Sequence, residues 1–355
     1  GSKIIDYVGK IITKKQTEVS NKFDNAKPIY LFNLNKKYEV NMVLSDKDIK
    51  AAVKAGIIGI NPYFEKDVQP ASVDLHLDKK LLIFNNSSAP FIDLKKELPN
   101  INSVERTKSE LSELTLALQC GGSDSYSGIT ANPALGFAAD LLVKYGGSTI
   151  LSETPEIYGA EHLLIDRARK ESDIKKLINQ IKWWKNYTQI NGGSLDNNPS
   201  PGNKKGGLTT ILEKSLGAVA KSGNSTMINV LDYAEKISEK GFHFMDSPGY
   251  DPVSVTGQVA SGSNLICFTT GRGSCFGFKP TPSLKISSNT NMYNNLEEDM
   301  DINAGTIMDG IHSIEEIGTK IFNELIEVAS GKKTKSEINE YGDDEFNPWV
   351  IGATM

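Results

Sequence analysis

Four apolar runs, each released into a burst of glycine, hydroxyl and acidic residues, limit this chain more than any other feature. LTLALQ is followed from Cys120 by CGGSDSYSGITANP, STILSE by TPEIYGAEH, FHFM by DSPGYDPVSVTGQ, and LICFTT by GRGSCFGFKP. Short uninterrupted apolar runs suit strands buried on both faces, as in a parallel sheet covered by helices. Polar residues that follow successive strands of such a sheet collect along one edge, where these folds hold their ligands. The pattern therefore points to an enzyme.

The segments between the runs support the same class. Leu114–Gln119 and Ser148–Ser152 flank a helix expected over Asn132–Lys144, with Pro133 in its first turn, so this stretch reads as one βαβ unit. Strands near 242–246 and 264–269 and helices at 157–170, 173–190 and 207–221 continue the alternation. A last helix over 313–330 is amphipathic through Ile314, Ile317, Ile321, Leu325 and Val328 and is stopped by Gly331. The expected fold is α/β, a mainly parallel sheet with helices on both faces, preceded by a small α+β N-terminal segment. Residues 1–41 carry one apolar stretch, Ile29–Leu34, and no assignable role. A unit over 42–105 opens with Ser45-Asp46 capping a helical pattern at Ile49, Val53 and Ile57, ended by Gly56. Val73, Leu75 and Leu77 then alternate as in a half-buried strand. The α/β domain covers 106–355.

Composition removes several functional classes. With 355 residues, 39% hydrophobic and 23% charged, the chain can bury a sizeable core. Its 39 basic residues against 44 acidic ones are scattered without a stripe, which speaks against a nucleic-acid partner. Cys120, Cys267 and Cys275 lack the spacing of a zinc site or a disulfide framework, so a reducing, cytoplasmic setting is expected. No apolar run approaches the roughly 18 to 20 residues of a membrane span, and the N-terminus lacks the apolar core of a signal peptide.

The post-strand loops supply the candidate chemistry. Cys120, Gly121, Gly122, Ser123 and Asp124 combine a thiol, a hydroxyl and a carboxylate on a freed backbone, either a cradle for an anionic oxygen or a tight turn with a buried thiol. Ser127, Thr130 and Asn132 extend the polar run and favour the cradle. Glu153 and Glu156 could hold a divalent metal or divide acid and base work, though Glu156 also suits a helix N-terminus. His162 is a base or ligand if it is not merely a surface residue. Lys204 and Lys205 precede a helix and could hold a carboxylate, unless their loop is only a connection. Asp246 and Asp251 frame SPGYD, and Thr270 precedes Arg272 in a loop suited to bidentate capture of a carboxylate, with a structural arginine as the competing reading. Asp301 and Asn303 share an alternation, Cys267 is core, and Cys275 has no charged activator beside it.

Two family resemblances follow from longer strings. SDKDIKAAVKAG, VQPASVDLHL and FIDLKKELPN, within 42–100, resemble the N-terminal part of dCTP deaminases, but the later Ser-Arg segment and the Gly-rich strand bearing the catalytic Glu are absent, so deaminase activity is not expected. From 114 onward, LQCGGSDSYSGITANPALG, ILSETPEIYGAEHLL, NNPSPGNKKGGLTTILEKSLGAVAKSG, MDSPGYDPVSVTGQVASG, NLICFTTGRGS and EEDMDINAG resemble the C-terminal catalytic region of the altronate and galactarate dehydratase family, which includes the large subunit of sulfolactate sulfo-lyase. That resemblance implies dehydration of a small-molecule sugar acid to a 2-keto-3-deoxy acid with a divalent metal, iron(II) or manganese. It implies catalytic roles among Asp124, Glu153, His162, Asp246 and Asp251, substrate contacts from Gly121, Gly122, Ser123, Asn132, Lys204, Thr270 and Arg272, and metal ligation by Cys120, Asp124 and Glu153. Family members carry further N-terminal domains or a small partner subunit, which residues 1–113 do not match. A partner subunit or a homo-oligomer is therefore expected, and a silent domain that keeps the fold is the alternative.

Overall fold

A computed structural model describes residues 50, 51, 53–55, 107–195, 199–352 and 354. The chain divides into two compact units, Gly1–Ser103 and Val104–Met355. In the first, residues 50, 51, 53 and 54 are helical, inside the helix expected from Ser45 to Gly56. The strands expected at Ile29–Leu34 and Val73–Leu77 lie outside the described residues.

The second unit is built on seven strands: β1 Thr115–Cys120, β2 Ser148–Leu151, β3 Met227–Leu231, β4 Phe242–Met245, β5 Leu265–Thr270, β6 Ser283–Ser287 and β7 Ile302–Asn303. They form one sheet in the order β3-β4-β2-β1-β5-β6-β7, and every neighbouring pair is parallel. The helices are α1 Ala131–Lys144, α2 His162–Ile165, α3 Glu171–Ile190, α4 Pro201–Lys205, α5 Ile211–Ala220, α6 Asp251–Ala260, α7 Thr290–Asn295, α8 Ile314–Ala329 and α9 Lys335–Ile338. No described helix is long and apolar enough to cross a membrane.

Side-chain alternation along the central strands makes two cores. Leu116, Leu118 and Cys267 face α1 and α8 in the larger cluster, whereas Ala117, Ile266 and Phe268 pack with Val255 of α6 on the other face. The amphipathic C-terminal helix is α8, as its apolar spacing indicates, with Ser313 and Glu316 forming a capping box at its start. Chain order turns back at β1, which has β2 on one side and β5 on the other, so the loop after Cys120 opens at the crevice where such sheets bind ligands.

Several elements differ from the expectations. In place of a helix over 157–170 there is a 3-10 turn, Thr154–Ile157, and then only the four residues of α2. Gly159 at φ 89° interrupts the helical path between them. The helix expected at 207–221 begins later, at Ile211, where the Thr210 hydroxyl caps the Glu213 N–H. Strands β3, β6 and β7 and helix α6 were not anticipated.

Candidate active site

Loops from β1, β2, β4 and β5 converge at the crevice. Cys120 ends β1 with its side chain buried, and its Sγ lies 3.6 Å from Glu156 Oε2. On the other side, Lys221 Nζ donates to the same sulfur over 2.9 Å. Glu156 is ion-paired with Lys214. Glu153 completes the group, its Oε2 lying 3.8 Å from Lys221 Nζ. Ligand atoms of Cys120, Glu153 and Glu156 all fall within 4.8 Å of one another, so these three residues could hold a metal ion.

Glu153 is held in an unusual way. Its backbone is left-handed, at φ 75°, a conformation costing a non-glycine residue on the order of 1 kcal/mol or more. The loop after β4 fixes it: Ser247 Oγ accepts from Glu153 N at 3.0 Å, and the Ser247 carbonyl accepts from Thr154 N at 3.0 Å. The carboxylate is 1% exposed, and neither of its oxygens has a hydrogen-bond partner. Two buried, unbonded carboxylate oxygens beside a thiol are ligand atoms that a cation would satisfy.

The lysines arrive on α5 and the turn that follows it. This helix can press onto the end of β1 because Gly128 and Gly217 meet backbone to backbone: a Cβ on Gly217 would stand 3.0 Å from the Gly128 Cα. As a result α5 buries Lys214, Ser215, Ala218 and Val219 while Leu212 and Leu216 face outward.

Burial dominates the electrostatics. It pushes the Cys120 thiol up to about 12, with the lysine cations only partly opposing it. It also raises Glu153 well above the carboxylate range, helped by the Glu156 charge nearby. Asp251, the first residue of α6, is raised to about 7 by burial and by Glu156. Its Oδ2 packs so closely on Gly121 that a Cβ there would approach to 2.2 Å. Burial works against the Lys221 ammonium, but its closeness to Cys120, Glu153 and Glu156 more than offsets that and raises it overall.

Two cavities meet at Cys120 and Lys214. One of about 360 Å³ is lined by Gly121, Gly122, Glu156, Asn203, Asp251 and Arg272 among others. The second, of about 420 Å³, runs past Ser123, Asp124 and Asn132 to the apolar side chains Ile129, Leu212 and Leu216.

The residues singled out by sequence are distributed unevenly around this centre. Cys120, Glu153, Asp251, Gly121, Gly122 and Arg272 gather at the buried group or its first cavity. Asp124 stands outside the Cys-Glu-Glu group. Its carboxylate accepts from Ser127 N, Ser127 Oγ, Ser288 Oγ and Asn289 Nδ2 at 2.7 to 3.0 Å, joining the loop after β1 to the loop after β6. Asn132 is likewise a brace, bonded to the Gly217 carbonyl and to Thr269 Oγ1. Asp246 accepts from Trp184 Nε1 at 2.7 Å and from Thr154 Oγ1. Thr270 is buried, with its hydroxyl unbonded. His162 and Lys204 are exposed, the first opening α2 and the second on α4. Sequence reasoning missed Lys214 and Lys221. Their seven-residue spacing, which puts both on the side of α5 and its C-cap that carries Ala218, was the available signal.

Comparison with known proteins yields two family matches. Residues 111–354 match the family model for the C-terminal domain of D-galactarate/altronate dehydratase, and residues 43–120 match a dCTP deaminase-like model. The chain is 42% identical over 267 residues to galactarate dehydratase (L-threo-forming) of Escherichia coli, covering 75% of this chain and 51% of that protein. It is 41% identical over 253 residues to altronate dehydratase of Bacillus subtilis, covering 71% and 50%. It is 31% identical over 242 residues to (2R)-sulfolactate sulfo-lyase subunit beta of Chromohalobacter salexigens, covering 66% and 61%. The chain thus spans about half the length of the two dehydratases it matches.

Proposed function

The chain belongs to the D-galactarate/altronate dehydratase family, and on that premise we propose that its second unit removes water from a sugar acid, galactarate or altronate, to give a 2-keto-3-deoxy acid. The observation that carries this reading is the buried Cys120–Glu153–Glu156 group, set between two lysines and opening on a cavity that also holds Asp251.

The chemistry needs three things. A proton next to a carboxylate must be removed, the enediolate that forms must be stabilised, and the departing hydroxyl must receive a proton. The two carboxylates suit manganese or iron(II) and the thiolate favours the softer iron, and the unbonded oxygens of buried Glu153 fit such an ion. When bound, a divalent cation would draw charge from the substrate carboxylate and the enediolate. Burial favours the protonated forms of Cys120 and Glu153, so holding such an ion would require both to release protons. Asp251 lines the cavity and, once ionised, takes the proton from the carbon beside the carboxylate. Lys214, oriented by Glu156, donates to the hydroxyl that leaves.

One observation favours a companion to this unit. Ile129, Leu212 and Leu216 are 51%, 47% and 43% exposed on the wall of the second cavity, where another domain, a small subunit or a second copy would shield them. Loss of sulfite from sulfolactate would use the same proton abstraction, and the likeness to the sulfo-lyase subunit supports that variant.

The test is formation of 2-keto acid from galactarate or altronate under anaerobic, metal-supplemented conditions. Asp251→Asn should lower the rate by about a hundredfold or more while the fold is kept. Wild-type rates in that variant would remove Asp251 from the mechanism.

A further inference from the structure

Arg272 is an exposed guanidinium on the wall of the first cavity. Among the described residues it has no carboxylate partner, and its side chain makes one hydrogen bond, from Nη2 to Asn203 Oδ1 at 3.3 Å. Its backbone is fixed, since Arg272 N donates to the Gly122 carbonyl over 3.1 Å. The guanidinium lies flat against α4. A Cβ at Gly202 would fall 2.3 Å from Nη1 and 2.7 Å from Cζ, so the arginine can occupy this place only because residue 202 has no side chain. Asn203 is itself buried and capped, its N–H donating to Ser200 Oγ at 3.3 Å.

The acids on the same cavity do not neutralise this cation, because Glu156 is paired with Lys214 and Asp251 packs on Gly121. A guanidinium held on a cavity wall with no carboxylate paired to it among the described residues is a receptor for one. We infer that Gly202 and Asn203 are positioning residues that hold Arg272 as the anchor for a substrate carboxylate. This deepens the dehydratase reading and rests on it for the identity of the substrate. Exposed Lys204, the cation expected from the sequence, lies on the same short helix but outside the cavity lining.

The test is equilibrium binding, by calorimetry, of galactarate and of tartrate, a plain hydroxydiacid. Arg272→Gln should weaken both about tenfold or more. Gly202→Ala should weaken both severalfold with an unchanged thermal midpoint, since the new methyl displaces only the end of a flexible side chain. Asn203→Leu should act in the same direction. In the double variant with Arg272→Gln, Gly202→Ala should add no further loss, because it acts through the arginine. Additive losses, or Arg272→Gln binding both acids as the wild type does, would overturn the proposal. So would a wild type that binds neither acid. Binding with the expected losses but without turnover would refute the dehydratase reading and leave the anchor standing.

Discussion

Asp124 and Glu153 are both buried acids that follow central strands, yet their surroundings assign them opposite work. Asp124 is saturated by donors from two loops, so Asp124→Ala should cost about 3 kcal/mol or more of stability, visible as a lowered urea midpoint. Glu153 accepts no hydrogen bond, so Glu153→Met should raise the thermal midpoint of the metal-free protein while abolishing metal binding. A lowered midpoint would show that Lys221, 3.8 Å away, already compensates the carboxylate. Asp251 adds a pH signature. Its carboxyl is raised from the usual 3.8 to about 7, so between those values the folded state holds a proton that the unfolded chain has lost. Metal-free protein should therefore lose stability as pH rises through that window, and Asp251→Asn should flatten the fall. Sequence could nominate all three acids from their place after strands. It could not divide their roles, because the donors to Asp124 lie more than 160 residues away in the case of Ser288 and Asn289.

Helix α5 shows how an element can be misjudged. With Leu212 and Leu216 apolar and Lys214 charged, its sequence suggests leucines inside and lysine outside. The fold does the reverse, because Glu153 and Glu156 after β2 and the Cys120 sulfur at the end of β1 take the lysines as partners, and the Gly128–Gly217 contact brings the helix close enough to supply them. Gly217→Ala should push α5 away from Cys120, costing about 1 to 3 kcal/mol and weakening metal affinity. Unchanged melting and affinity would show that the close approach is dispensable. The strands tell a complementary story. The four runs read from sequence became β4, β2, β1 and β5, the contiguous centre of the sheet, where burial on both faces leaves an unbroken apolar string. The outer strands were hidden for local reasons: β3 is only partly buried, β6 carries Lys285, and β7 is two residues long. Lys285 is tolerated inside the sheet because its Nζ donates to the Ser274 carbonyl at 2.9 Å and sits over the Tyr341 ring.

At the scale of the molecule, two family signatures share β1, the strand that carries Cys120 into the site. Fold class and family were legible because long loop motifs follow the central strands in order. The pairing of lysines with acids was not, since it depends on how helices pack across the sheet. The proposed dehydration chemistry requires the buried Cys120–Glu153–Glu156 group to be its metal centre. Manganese titrated into the metal-free protein, with binding and 2-keto acid formation followed in the same sample, tests that claim most directly. One equivalent should bind, more tightly as pH rises, with turnover growing in proportion and both lost in Glu153→Gln. Turnover that survives chelation, or a Glu153→Gln variant that binds manganese and works as the wild type does, would contradict it.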